Sequence, residues 1–158
     1  MNDTLTAEKG KVLEIYNASK NSVKSKLETI FGAKIFLPKV EDRIKNFEDV
    51  LKENSISRTE FEKSCIGLTS DEIAYKKAKL VCKAYNEDWI ADWTDSSQYK
   101  YYPWFVTGSS SGVGFAFSAY ADWHTLSTVG SRLCFRSSEL CKIAGKLFEQ
   151  EIYKPLFT

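Results

Sequence analysis

The sequence predicts an α+β protein: N-terminal helices, then a small antiparallel β-sheet made of a hairpin plus a third strand, then a C-terminal helix. Three observations carry that expectation. Up to about Asn86 the apolar residues recur at helical spacing. From Trp89 onward the chain becomes aromatic and β-branched, with stretches that alternate. Beyond Ser137 the helical period returns. No strand–helix–strand unit repeats, which argues against a parallel nucleotide-binding sheet.

Taken in order, Val23, Leu27, Ile30 and Phe31 are spaced to share one helical face, and Gly32 supplies a natural C-terminal stop. Pro38 lies in the connection that follows. Residues 1–38 therefore read as a helical hairpin extension, and 39–158 as a compact α+β domain. Val40, Ile44, Phe47 and Leu51 form the next stripe. Ser57 with Glu60, and Thr69 with Glu72, match the capping box, in which a hydroxyl and a carboxylate satisfy free N–H groups at a helix start. A long helix begins near Ser70, with Ile73, Leu80, Val81 and Ala84 as its buried stripe and Lys76, Lys77, Lys79 and Lys83 over its solvated side. Residues 99–106 read as a strand, 108–112 as a Ser/Gly turn and 113–120 as its partner strand. Residues 133–135 supply the third. Ser137 caps a closing helix whose stripe is Leu140, Cys141, Ala144, Leu147 and Phe148.

Composition narrows the function. The 158 residues are 43% apolar and 27% charged, the balance of one packed globule. Lys plus Arg number 22 against 21 acids, so a net charge of +1 offers no long-range attraction to duplex nucleic acid or an anionic membrane. No apolar run reaches the roughly 18 residues of a membrane span, and the N-terminal residues lack a secretion-signal layout; a cytoplasmic protein without a membrane partner is expected. Aromatic residues make up 14% of the chain and crowd between residues 85 and 135.

Chemical constellations are weak. Cys65, Cys82, Cys134 and Cys141 form no C-x-x-C pair, and the single His is His124, so reduced core thiols are expected in place of a zinc site, with no cofactor. Glu87, Asp88, Asp92 and Asp95 surround Trp89 and Trp93, but their spacing matches no cation loop. The tryptophans read as pins over the core. His124 beside Asp122, with Ser127 or Ser131, lacks the elbow and oxyanion elements of a hydrolase. The loop 108–114 has no P-loop lysine and leads into a strand, so it reads as a hairpin tip. No catalytic residue is assigned, and the protein is expected not to be an enzyme.

Two binding readings stay. Residues 114–120, GFAFSAY, echo the aromatic RNP1 strand of RNA recognition modules, although Val113 replaces the leading cation and Ser118 an aliphatic residue. On that reading Tyr102, Trp104, Phe115 and Phe117 stack bases of single-stranded nucleic acid or a nucleotide, while Lys100, Arg132 and Arg136 reach phosphates. The leading reading is a protein partner recognised by the aromatic sheet and its loops, through Tyr101, Trp104, Ser110, Tyr120, Trp123 and His124, because Tyr and Trp bury large area at small conformational cost.

The segments KVLEIYNASKNSVKSKLETIFG (11–32), EDRIKNFEDVL (41–51), AYKKAKLVCKAYNEDWIADW (74–93), QYKYYPWF (98–105) and VGSRLCFRSSELCKIAGKLFEQEIYK (129–154) resemble a protein family common in gut Bacteroidales and their phages and prophages. The likeness spans nearly the whole chain. It is most specific over 99–105 and 129–153 and follows texture more than letter over 106–128. Pro155 departs from it, standing where a polar or acidic residue is expected. The resemblance implies a phage or mobile-element setting, with host takeover or counter-defence as the context, and no reaction.

Overall fold

In the computed structural model, residues 7–109, 112–122 and 133–156 are described, with side chains of the strand pair described as far as Phe105. The chain divides into two compact units, Met1–Lys39 and Val40–Thr158. In the first, α1 (Lys9–Ala18) and α2 (Asn21–Phe31) are followed by a 3₁₀ turn, Ala33–Phe36. Gly32 ends α2 at φ +84°, a left-handed conformation that glycine adopts without a Cβ penalty. Tyr16 ties this unit together. Its ring stacks on Phe36 at 4.0 Å, its hydroxyl donates to Glu28, and Lys24 lies 5.1 Å from the ring centroid. The helix expected here is present, but no residue of α2 is buried: Leu27 is partly covered and Ile30 is 70% exposed.

The second unit is built on short helices packed around one long one. α3 (Val40–Arg43), α4 (Phe47–Glu53) and α5 (Arg58–Lys63) lead to α6 (Ser70–Asn86). Val40, Ile44, Phe47 and Leu51 are all buried, although the helix is interrupted between α3 and α4, where the Asn46 side chain caps α4 by accepting from Asp49 N–H. The Ser57–Glu60 capping box opens α5. At α6 the Glu72 carboxylate accepts the Thr69 N–H at 2.8 Å, while the Thr69 hydroxyl donates to Asp71 and Glu72. α6 buries Ala74, Ala78, Val81, Cys82, Ala84, Tyr85 and Asn86, with Ile73 and Leu80 only partly covered. Its lysines are used internally: Lys76 donates to Ser64 O at 2.7 Å, Lys77 pairs with Glu151 at 2.8 Å, and Lys79 sits over the Tyr75 ring. α7 (Ser138–Leu147) is capped by Ser137 and buries Leu140, Cys141, Ala144 and Gly145; Leu147 is exposed, and Phe148, just beyond the helix, is buried. The helix then widens into a π turn, Glu149–Tyr153, in which Tyr153 N–H reaches Phe148 O, before a final 3₁₀ turn, Lys154–Leu156.

The α+β class is corrected: the chain is mainly helical, and among the described residues no sheet of hairpin plus third strand is formed. β1 (Tyr101–Ser109) and β2 (Gly112–Asp122) pair as an antiparallel two-stranded ribbon with an uneven register. Between the pairs Pro103↔Tyr120 and Phe105↔Phe115, β1 advances two residues and β2 five, so β2 bulges where the RNP1-like alternation was expected. Residues 133–135 contribute one bridge, in which Tyr101 and Phe135 exchange both backbone hydrogen bonds at 3.1 and 2.8 Å. The reason lies at the end of α6. The buried Asn86 amide donates to Cys134 O at 2.7 Å and accepts from Arg136 N–H at 2.9 Å, so a side chain takes the backbone groups that a longer ladder needs. Ser137 then starts α7 at once.

Candidate functional site

Of the described β1 side chains, Trp104 alone is exposed and the other four are partly buried. Tyr101 and Phe105 pack against the core, Phe105 with its ring 5.0 Å from that of Tyr153, whereas Trp104 between them is 51% exposed. Tyr102 is half-buried against Cys134. Burial, followed by the Cys134 contact, pushes its phenol well above the ordinary value of 10.0. Tyr99, just before the ribbon, is 46% exposed and stacks on Tyr101 at 6.2 Å. Of the expected protein-binding residues, then, Trp104 is presented to solvent and Tyr101 is mostly spent on the core. Tyr120, Phe115 and Phe117 lie on β2, beyond the described side chains. Ser110, Trp123, His124 and Arg132, with Ser127 and Ser131, lie outside the described residues.

The expected phosphate-binding cations are placed elsewhere. Lys100 is fully buried; its ammonium donates to Asp95 O at 3.0 Å and lies 5.5 Å from the Trp93 ring centroid. Arg136 donates to Asn86 O at 3.0 Å and to Glu87 Oε2 at 2.7 Å. Lys100 is thus withdrawn from solvent, whereas Arg136 keeps about a third of its side chain exposed while paired with Glu87.

Glu87 is the hub of this junction. Its second oxygen accepts from Arg43 at 2.6 Å, and Arg43 also pairs with Glu53. It holds φ +53° and ψ −116°, a strained backbone for a side-chain-bearing residue, and the turn is closed by Trp89 N–H on Asn86 O at 2.9 Å. Two arginines fixing both carboxylate oxygens hold the chain in that conformation. Beyond it, Asp92 accepts from Thr94 N–H at 2.9 Å and hydroxyl at 2.7 Å, and Asp95 from Ser97 N–H at 2.8 Å and hydroxyl at 2.6 Å. These are Asx turns, and the side-chain and backbone bonds hold both carboxyls below their ordinary value. The acids serve the loop's shape.

Between α6 and this loop lies a cleft of about 760 Å³, walled by Leu80, Trp89, Ile90 and Trp93, with Lys79 and Lys83 at its rim. The tryptophans pin nothing fully: both are half-buried, and Ile90 is 85% exposed. Sequence reasoning missed the Asn86–Glu87–Arg136 junction. The signal available was a polar residue, Asn86, on the same helical stripe as Ala78 and Cys82.

Cys82, Cys134 and Cys141 are buried free thiols, and burial raises all three, Cys141 to about 12. Among the described residues no group of three or more His, Cys, Asp or Glu is arranged to hold a metal, and no helix is long and apolar enough to cross a membrane. Comparison with protein-family models, with curated proteins and with solved structures found no match.

Proposed function

We propose that the chain is a noncatalytic binding protein of a phage or mobile element, acting in the cytoplasm of the host cell and recognising a protein partner through the aromatic ribbon. The observation that carries this reading is Trp104, 51% exposed on β1 between two neighbours that anchor the strand to the core. An indole held on a strand secured from behind presents large apolar area with little conformational entropy left to lose, which is the usual make-up of an interface hot spot. Tyr99, 46% exposed just before β1, is a second aromatic ring open to solvent. The absence of a catalytic role is supported by the acids Asp92 and Asp95 being committed to turn N–H groups and by the burial of Cys82, Cys134 and Cys141.

The test is affinity capture from the host, with nucleic acid digested in a parallel sample, followed by a measured Kd for the captured partner. Trp104→Ala is expected to weaken binding about 30-fold, the equivalent of about 2 kcal/mol for a central Trp anchor, with an unchanged unfolding midpoint. Capture that vanishes on nuclease treatment, or that ignores Trp104→Ala, overturns the proposal.

A further inference from the structure

We infer that the cleft between α6 and the loop following Glu87 is a binding site for a small, flat, apolar anion. The inference is independent of the ribbon reading and uses none of its residues.

Size comes first. A space of about 760 Å³ falls within the roughly 300–1,000 Å³ of small-molecule sites. Its walls are of the right kind: Trp89 and Trp93 offer indole surface, Leu80 offers aliphatic surface, and Ile90 keeps 85% of its area in contact with water. A flat apolar body entering the cleft removes that area from solvent, a gain of about 25 cal/mol for each Å² covered.

Charge sets the sign of the ligand. Lys79 and Lys83 stand one turn apart on α6, both lining the cleft. Lys79 has the Tyr75 ring for company at 5.0 Å, and among the described residues neither lysine makes an ion pair. The acids that also line the space are Glu87, with both oxygens bound by arginines, and Asp88. Behind the wall Lys100, completely buried, rests on the Trp93 ring with a backbone carbonyl as its hydrogen-bond acceptor, and its charge is shared with the nearby Asp92 carboxylate.

The site is also preformed. The turn at Glu87 is clamped by Arg43 and Arg136, and Asp92 N–H is held by Gln98 Oε1 at 2.7 Å, so the loop that carries both tryptophans is fixed before any ligand arrives. Little ordering entropy is then left to be lost on binding.

The probe is 1-anilinonaphthalene-8-sulfonate, titrated into the whole folded chain, with the uncharged N-phenyl-1-naphthylamine in parallel. Saturable one-to-one enhancement of dye emission is expected, with the uncharged dye at least tenfold weaker. Lys83→Glu and Trp89→Ala are each expected to weaken the anionic dye at least tenfold, and Lys63→Glu, an equal charge change on α5, to leave it within twofold. Lys83 is exposed and bonds to nothing described, so its variant keeps the test open even where Trp89→Ala impairs folding, which far-ultraviolet circular dichroism reports. No saturable binding, or equal binding by Lys83→Glu and the parent, or equal affinity for the charged and uncharged dyes, each overturns the inference.

Discussion

α2 and α4 are both amphipathic on paper, and the molecule treats them in opposite ways. Each places apolar residues at helical spacing: Val23, Leu27, Ile30 and Phe31 in the first, Phe47, Val50 and Leu51 in the second. The seven residues of α4 bury all three, with exposures of 3% or less, whereas the eleven of α2 bury none. The difference teaches that periodicity identifies which side chains share a face, while coverage depends on what the rest of the chain brings to that face. α4 has α6 against it, and the Phe47 and Phe61 rings meet edge to face at 5.1 Å.

The comparison is broken most directly by truncation. Phe148→Ala, in the buried cluster of the second unit, is expected to cost about 3–5 kcal/mol, and Ile30→Ala on α2 less than about 0.5 kcal/mol; urea unfolding curves check both. A large loss at Ile30 would mean that the α2 face is covered after all. Next in size is Asn86→Ala. It strands Cys134 O and Arg136 N–H in a buried junction, and a loss of about 2–3 kcal/mol is expected for two unmet backbone groups. A loss below about 0.5 kcal/mol would show that the junction holds nothing together.

A smaller effect of opposite sign is expected at the end of α4. Ser55 sits at φ +55° in a Schellman arrangement, with its N–H on Lys52 O at 2.9 Å and Ile56 N–H on Leu51 O at 3.0 Å. Ser55→Gly relieves a left-handed conformation and is expected to raise stability by about 0.5–1 kcal/mol, seen as a higher unfolding midpoint. A fall would show that the serine side chain contributes more than its backbone costs.

The smallest effects come from titration. Asp49 is held below its ordinary 3.8, first by the Lys45 N–H and then by Lys52, and Glu60 is held below 4.5 by Ser57. A lowered folded pKa means that the unfolded chain takes up the proton first. The stabilisation is therefore complete above the ordinary values and is lost as pH falls through the folded ones, below about pH 4. Asp49→Asn is expected to flatten that acid limb; an unchanged limb would remove Asp49 from it. At the alkaline end the sign is the reverse. Burial raises Cys141 from 9.0 and Tyr85 from 10.0, each to about 12, so stability is held below about pH 9 and lost as pH rises toward 12.

Much of the second unit was legible because its determinants are local. The start of α6 at Ser70, the Ser57–Glu60 box, the Ser137 cap and the buried set Val40, Ile44, Phe47 and Leu51 all follow from residues three or four apart. The class was misread where local texture met a distant partner. Residues 133–135 have strand-like composition, yet Asn86, some fifty positions earlier, bonds the backbone groups on either side of Phe135. The surroundings of the two described cations were out of reach for the same reason. A lysine and an arginine beside aromatic residues suit a phosphate equally well in sequence, and only folding showed Lys100 under Trp93 and Arg136 on Glu87.

By itself, the sequence determined the helical segments, their caps and the aromatic crowding after residue 85, because hydrogen bonds and side-chain spacing within one or two turns decide those features. Tertiary structure alone decided which apolar faces were covered, why the third strand stopped at one bridge, that Trp104 stayed outside while Tyr101 went in, and that two tryptophans and two lysines came to border one cleft. Those outcomes depend on burial and on pairing between residues far apart in the chain, and neither can be computed from a residue's neighbours.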